Sequence, residues 1–198
     1  MLAGTMVITY HGGQCFKVSF GSTTLAFDPI SKQSKLAAPV KFGADIAFVS
    51  TWHADCNGVE QVAYGGKQPF IVDGPGEYEI GEVTARGFET PTELGEAGRP
   101  NTVYLVRLED MQLLFLGALS DSAALDQSIL ADIPEVDILF LPIGGGVVMD
   151  VPQASKLAVK LEAKCVIPMR YDAPALTAFC KEEGIEKTAA QEKLTVKK

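Results

Sequence analysis

Hydrophobic and polar positions follow two different periods along this 198-residue chain. Up to about residue 116, short runs of β-branched and aromatic residues are separated by glycine-containing turns, as is typical of β-strands. Beyond it, apolar residues recur at helical spacing between continuous apolar runs, which indicates alternating helices and strands. The pattern predicts strands over 7–10, 15–20, 23–27, 44–50, 69–73, 76–80, 82–88, 102–108, 111–116, 136–143, 165–169 and 193–197. It predicts helices over 59–64, 122–133, 151–163 and 174–183.

The order of these elements predicts the fold class. Many strands followed by alternating helices and strands favour two sheets covered by helices, which is an α/β layered domain. Pro152 lies in the first turn of one predicted helix and Gly184 directly follows another. Proline is common in the first turn of a helix and glycine directly after its last turn. A length of 198 residues fits one large domain, and no segment has the composition of a linker. We therefore expect residues 1–198 to form a single domain.

Composition and charge exclude some partners. The formal net charge is −8, with a pI near 4.8, and an acidic surface repels phosphate backbones and anionic membranes. We expect no nucleic-acid partner and no membrane partner. The four cysteines (Cys15, Cys56, Cys165 and Cys180) form no CxxC pair, so a disulfide framework is not predicted. There is no signal peptide pattern and no apolar run near the ~18 residues that cross a bilayer, which makes the cytoplasm the expected location.

The residues able to carry chemistry are few, because the chain has only two histidines, His11 and His53. The loop over residues 50–58 follows a predicted buried strand and carries His53, Asp55 and Cys56 within four positions. All three are possible metal ligands. Taken alone, a His-x-Asp pair in a loop is more often a local hydrogen-bonded pair than a metal site.

Several segments resemble one family when they are taken in chain order. Residues 8–16 (ITYHGGQCF) resemble an opening strand that usually reads close to GHSCF, and Asp28-Pro29 resembles its Asp-Pro turn. The other similar segments are 44–50 (ADIAFVS), 72–80 (VDGPGEYEI), 101–104 (NTVY), 136–145 (VDILFLPIGG) and 166–171 (VIPMRY). In these motifs the chain resembles the metallo-β-lactamase superfamily, in particular its branch of ascorbate-6-phosphate-lactonase-like proteins. The resemblance implies a four-layer αββα sandwich with a metal site at the sheet edges.

The chain departs from that family at the metal ligands. A family member reads S/T-H-x-H-x-D-H where residues 50–56 read STWHADC. The resemblance implies that His53 and Asp55 are remnant ligands, that Cys56 is a conceivable thiolate ligand, and that Thr51 replaces the first histidine.

The remaining family ligands are missing from the later motifs. The resemblance places Thr92 at the next histidine, Ala118 at the bridging aspartate and Arg170 at the last histidine. Arginine has no lone pair to donate, and its cation repels a metal ion. Together with Thr51 and Trp52, these positions outline a vestigial pocket. Trp52 either fills the void left by the missing ligands, which we favour, or forms the floor of a small-molecule pocket.

Three functional hypotheses follow from the ligand count, because a catalytic zinc needs about three protein ligands and an open position for water. The main one is a non-catalytic homologue of zinc-dependent hydrolases, with no catalytic residue and no cofactor. It would act as a binding or regulatory module for an unknown small molecule or protein. Alternatively, its partner would be a second copy of the same chain in a homo-oligomer. The alternative is a metal-dependent hydrolase, of lactonase or phosphodiesterase type, with a single zinc on a rebuilt site of His53, Asp55 and Cys56. The third is a metal-free enzyme that uses Asp55 or Cys56 as base or nucleophile.

Three other features have competing interpretations. We interpret His11 as a strand or loop residue rather than a functional histidine. We expect residues 144–146, all glycine, to form a tight loop rather than an anion cradle, because the run lacks a P-loop lysine. Ser120 or Asp121 is expected to cap a helix rather than to replace the lost carboxylate.

Overall fold

The computed structural model describes residues 5–95, 98–186 and 191–197. Its strands are β1 (Met6–Tyr10), β2 (Phe16–Phe20), β3 (Thr23–Phe27), β4 (Ile46–Phe48), β5 (Phe70–Val72), β6 (Gly76–Ile80), β7 (Val83–Thr90), β8 (Asn101–Leu108), β9 (Met111–Phe115), β10 (Ile138–Pro142), β11 (Cys165–Met169) and β12 (Lys193–Val196). Its α-helices are α1 (Gln127–Ala131), α2 (Val151–Leu161) and α3 (Ala173–Glu182), and 3-10 helices span Val59–Gln61 and Ser122–Ala124.

The chain divides into two compact units, each containing one six-stranded sheet. The first unit comprises Met1–Asp73 and Ala190–Lys198, and its strand order is β12-β1-β2-β3-β4-β5. Strands β12, β1, β2 and β3 pair antiparallel, whereas β3, β4 and β5 are parallel. One cluster of buried residues in this unit joins Ala26 and Ala47 of the sheet to Ile30, Val40 and Phe42 of the segment that follows β3.

The second unit comprises Gly74–Ala189, with the strand order β11-β10-β9-β8-β7-β6. Strands β6 to β9 are antiparallel, and β9, β10 and β11 are parallel. Its core packs Leu114 and Leu139 of the sheet against Leu157 of α2 and Phe179 of α3. Each such fully buried side chain contributes about 1.5–3 kcal/mol. All five residues of β10 are buried, which explains why its sequence is a continuous apolar run.

The α/β class predicted from the sequence is confirmed, and a strand or helix is present in each predicted segment. Some bounds were wrong. The strand predicted over 44–50 is only Ile46–Phe48, and the helix predicted over 59–64 is one 3-10 turn, Val59–Gln61. The helix predicted over 122–133 is interrupted, because Asp126 caps a new start by accepting hydrogen bonds from Ser128 N and Ile129 N. A single domain over residues 1–198 stays a prediction.

Local predictions about cysteines and caps are confirmed. All four cysteines are free, and Cys15 and Cys56 are buried. Burial raises the pKa of the Cys15 thiol, which makes it unreactive. Asp121 Oδ1 accepts a hydrogen bond of 2.9 Å from Ala123 N and so caps the 3-10 helix. In the described part of the chain, no helix has both the length and the apolar character that a membrane crossing requires.

Gly144 is a position where the second unit admits no side chain. A Cβ atom built there would lie 2.0 Å from Arg170 O, so the backbones after β10 and β11 touch directly. Gly145 and Gly146 adopt φ angles of 71° and 66°, and Gly145 N donates to Met149 O at 2.9 Å. These contacts are those of a tight loop, as the sequence predicted.

We predict that Gly144→Ala destabilises the protein because the added methyl group collides with a carbonyl group that cannot move away freely. The expected loss is about 1–3 kcal/mol in the free energy of unfolding, measured by urea denaturation. Gly74→Ala is the matched control, because nothing lies within 4 Å of its Cβ position. That control should be neutral or stabilising by up to about 1 kcal/mol, and equal losses for both variants would contradict the prediction.

Candidate functional site

A fully buried carboxylate, that of Asp28, fixes the start of the 50–58 loop. It accepts hydrogen bonds from Gln14 Nε2 (2.5 Å), Ser50 N (2.7 Å) and Ser50 Oγ (2.6 Å). Asp28 N also donates to Phe48 O at 2.9 Å, and the residue adopts a left-handed φ of 42°. Because a buried charge is costly unless it is hydrogen-bonded, these donors hold the ends of β3 and β4 in one arrangement. The sequence analysis assigned Asp28 only to a turn and missed this role.

The far end of the loop is held by close backbone packing. Gly58 N donates to Pro29 O at 2.7 Å, and Ser31 N donates to Ala54 O at 3.0 Å. A Cβ at Gly58 would lie 2.4–2.6 Å from backbone atoms of Ile30 and Ser31, so only glycine fits there. The loop is therefore anchored at both ends to the segment that follows β3.

Within this loop, His53 and Asp55 form a local pair. Asp55 N donates to His53 Nδ1 at 3.2 Å, and Nδ1 lies 3.3 Å from Asp55 Oδ2. In the neutral imidazole, Nδ1 accepts the backbone bond and Nε2 carries the proton, while the Oδ2 contact becomes attractive when the ring is protonated. Asp55 Oδ1 accepts a further hydrogen bond of 2.6 Å from Ser34 Oγ. Sequence reasoning missed Ser34, which lies in a segment with no recognisable motif.

The other loop positions have different environments. Cys56 is fully buried, and its N–H donates to His53 O at 2.8 Å. Thr51 is also buried, and its Oγ1 has no hydrogen-bond partner among the described residues. Trp52 is 46% exposed, so the expectation that it fills a void was wrong. An indole with almost half of its surface in solvent does not occupy a cavity.

His11 lies directly after β1, as a loop residue. Its ring stacks on Phe42 with the centroids 5.2 Å apart, and its Nε2 is buried without a hydrogen-bond partner among the described residues. Burial, assisted by the nearby Lys17 charge, lowers the pKa of His11. A neutral, stacked imidazole agrees with its interpretation as a structural residue.

The second unit brings together two of the positions that the resemblance aligns with family ligands. Thr92 Oγ1 donates to Ala118 O at 2.8 Å and accepts from Leu94 N at 3.1 Å. Ala118 N in turn donates to Asn101 Oδ1 at 2.7 Å. Asn101, fully buried, also donates through Nδ2 to Leu116 O (3.1 Å). Sequence reasoning missed Asn101 as an organising residue, although it begins the NTVY segment that carried part of the resemblance.

Arg170 follows β11 with a left-handed φ of 48°. That conformation costs a non-glycine residue about 1–3 kcal/mol, and such strain concentrates at functional or tightly constrained sites. Here the constraint is visible, because the Arg170 carbonyl is the group that meets Gly144.

The donor set does not fit a catalytic zinc ion. Among residues 5–95, 98–186 and 191–197, no three His, Cys, Asp or Glu residues are grouped so that they could hold a metal ion. Every histidine and cysteine of the sequence falls within those ranges, and Glu96 is the one ligand-type residue outside them. The side chains of His53 and Asp55 are hydrogen-bonded locally.

An open concavity of about 460 Å³ lies on β6–β9 of the second unit. Glu77, Arg86 and Arg107 are among its lining residues, and no residue of the predicted pocket lines it. Arg86 is already paired with Asp132 at 2.8 Å and Glu77 at 3.6 Å.

Comparisons with known proteins agree with the fold. Residues 7–170 match the family model described as a β-lactamase superfamily domain. A metal-dependent hydrolase of Listeria monocytogenes is 25% identical over 87% of this chain and 88% of its own length. A Thermotoga maritima structure assigned as a Zn-dependent hydrolase of the metallo-β-lactamase superfamily is 27% identical, with a TM-score of 0.73 over 89% of this chain and 84% of that one. The metallo hydrolase Igni18 of Ignicoccus hospitalis shares the fold, with a TM-score of 0.75 and 19% identity over 97% of this chain and 98% of its own.

These names bear on the functional hypotheses. They support the metal-dependent hydrolase alternative more directly than the non-catalytic interpretation, because the Listeria and Thermotoga relatives are both called hydrolases. The narrower placement in an ascorbate-6-phosphate-lactonase-like branch stays a prediction.

We predict that Asp28→Ala lowers the free energy of unfolding by about 3 kcal/mol or more, since it leaves several buried donors unsatisfied. Asp28→Asn should cost roughly 1–2 kcal/mol, because the amide keeps the shape, one acceptor and tolerance of a left-handed φ. Chemical denaturation measures both.

Asp45→Ala provides the control. Asp45 accepts from Thr24 N at 2.9 Å and pairs with Lys67, but its side chain is 34% exposed. Its loss should cost about 1 kcal/mol, and a loss as large as that of Asp28→Ala would contradict the central role of Asp28.

Proposed function

Because the chain belongs to the metallo-β-lactamase superfamily, we propose that it keeps the hydrolase fold without a catalytic metal centre and acts as a binding or regulatory module. The observation that carries this proposal is that the described residues contain no group of three side chains able to hold a metal ion. A zinc that activates water needs about three protein donors around one point. The described residues of this chain supply no such group.

The surviving donors support the proposal because other groups already use them. His53 Nδ1 accepts from Asp55 N, and Asp55 Oδ1 accepts from Ser34 Oγ at 2.6 Å. Binding a metal through these atoms would first break hydrogen bonds that stabilise the loop. Cys56 is fully buried, and a thiolate ligand there would add the cost of a buried charge.

The second unit compensates for its missing ligands in another way. Thr92 and Ala118 are joined by a 2.8 Å hydrogen bond, and Asn101 holds the Ala118 N–H. In a buried setting, each polar group left without a partner would cost about 1–3 kcal/mol. Since these groups satisfy one another, this part of the protein needs no metal ion to be stable.

The second candidate function is a metal-dependent hydrolase with a rebuilt single-metal site. It is favoured by the names of the relatives and by the nearness of His53, Asp55 and Cys56 along one loop. In this candidate, zinc would be held by those three residues after the local hydrogen bonds had rearranged.

Metal content separates the two candidates. Protein purified without an affinity tag or chelator is expected to contain well below one equivalent of zinc, iron or manganese per chain. Its melting midpoint, Tm, should not rise when zinc is added. A specific metal at about 100 times its Kd would add about 2.7 kcal/mol, which raises Tm by roughly 5–10 °C in a chain of this length. Stoichiometric metal and such a rise would overturn the first candidate.

Two histidine variants test whether a zinc-dependent rise in Tm, if one is observed, requires His53. Under the second candidate, His53→Ala abolishes the zinc-dependent rise in Tm, while His11→Ala preserves it. A third variant restores family ligands by changing Thr51, Cys56, Thr92 and Arg170 to His and Ala118 to Asp. Gain of two bound metal ions would mean that the departures are confined to the ligands themselves.

A further inference from the structure

The two sheets differ in how their edges are protected. Among the described residues, β12 and β5 are the edges of one sheet and β11 and β6 those of the other. An edge strand offers unpaired N–H and C=O groups to any other chain, and proteins block such pairing with charged residues or proline. Three of these edges carry such residues: Lys193 on β12, Pro168 on β11, and Glu77 with Glu79 on β6.

Strand β5 has neither charge nor proline. Its residues are Phe70, Ile71 and Val72, and the first two are 52% and 45% exposed. The strand is only three residues long, but two consecutive, exposed, large apolar residues on an open edge leave it without the charge or proline that protects the other three edges. We propose that the β5 edge is an interaction surface that binds the β5 edge of a second copy of this chain, in antiparallel orientation. This proposal is independent of whether the protein binds metal.

The backbone of β5 is suited to this pairing. Phe70 N donates to Asp45 O and Val72 O accepts from Val49 N, both at 2.8 Å, so residues 70 and 72 are bonded to β4. Because bonding direction alternates along a strand, the N–H and C=O of Ile71 point away from β4. A two-fold axis beside Ile71 makes the two Ile71 residues a hydrogen-bonded pair, with two reciprocal N–H to C=O bonds.

The residues on either side of β5 are also compatible with antiparallel pairing of two β5 edges. In this register, Asp73 of one copy lies opposite Pro69 of the other, so the Asp73 N–H can donate to the Pro69 carbonyl. Proline has no N–H, so no donor is left unpaired at that position. Asp73 follows the strand, and Lys67, which pairs with Asp45 of its own chain, precedes it. The antiparallel arrangement brings Lys67 of one copy towards Asp73 of the other.

Antiparallel pairing of two β6 edges about a two-fold axis would be unfavourable. A two-fold axis beside Tyr78 would place Glu77 of one copy opposite Glu79 of the other, and like charges directly opposite each other destabilise a strand pair. The sequence therefore blocks self-pairing at β6 and permits it at β5.

The test is sedimentation velocity over a series from low to high micromolar concentration. The wild-type chain is expected to form dimers with rising concentration. Ile71→Lys and Ile71→Glu each place two like charges at the two-fold axis, where Cα atoms are about 5.5 Å apart. Each should raise the dimer dissociation constant by at least about tenfold. An equimolar mixture of I71K and I71E should dimerise again, because the charges at the axis are then opposite.

The matched control is Val159→Lys, which replaces a 71% exposed apolar residue on α2, away from any sheet edge. It should dimerise as the wild type does, and circular dichroism should show all variants folded. A wild-type chain that stays monomeric overturns the proposal. So does unchanged dimerisation of I71K, which would place the interface elsewhere, or a mixture that associates no better than its components.

Discussion

The carboxylate of Asp28 is the constraint from which the arrangement of the first unit follows. It is fully buried and is satisfied by a side-chain amide, a backbone N–H and a hydroxyl group. These donors come from the β1–β2 turn and from the residue two positions after β4. A single charged group therefore fixes the relative position of three chain segments. The loop that carries His53 and Asp55 begins at one of its donors, Ser50, so the geometry of that loop depends on Asp28.

At the positions that the resemblance aligns with family metal ligands, both units satisfy polar groups by local hydrogen bonds. In the first unit, the Asp55 N–H donates to the His53 imidazole, and the Asp55 carboxylate accepts a hydrogen bond from Ser34 Oγ. In the second, the Thr92 hydroxyl donates to the backbone carbonyl of Ala118, which the resemblance aligns with the bridging carboxylate. A metal ion in a protein satisfies several polar groups at once, and its loss is tolerated only if those groups acquire other partners. Thr51 Oγ1, buried without a partner among the described residues, is the exception to this compensation.

Sequence reasoning recovered the fold well because its signals are local. The apolar run of β10, the Glu109–Asp110 turn between β8 and β9, the cap at Asp121 and the proline in the first turn of α2 each depend on a few neighbouring residues. Asp28 and Asn101 were missed in their organising roles, because their partners are 14 or more positions away in sequence for most of their bonds. Periodicity reports which face of an element is buried, but it does not report which distant groups a buried polar residue satisfies. The exposure of Trp52 was mispredicted for a related reason, since a missing ligand does not specify which side chain takes its place.

The pairing of β12 with β1 has a consequence for the order in which the protein forms. Met6 pairs with Val196 and Thr9 with Lys193, so one sheet joins segments from opposite ends of the sequence. During synthesis the ribosome releases β1 to β5 before the strands of the other sheet and β12 after them. The second sheet thus has all of its strands available before the first sheet can be completed. Until β12 is available, β1 is itself an open edge, and open edges of this kind are prone to pair with other chains.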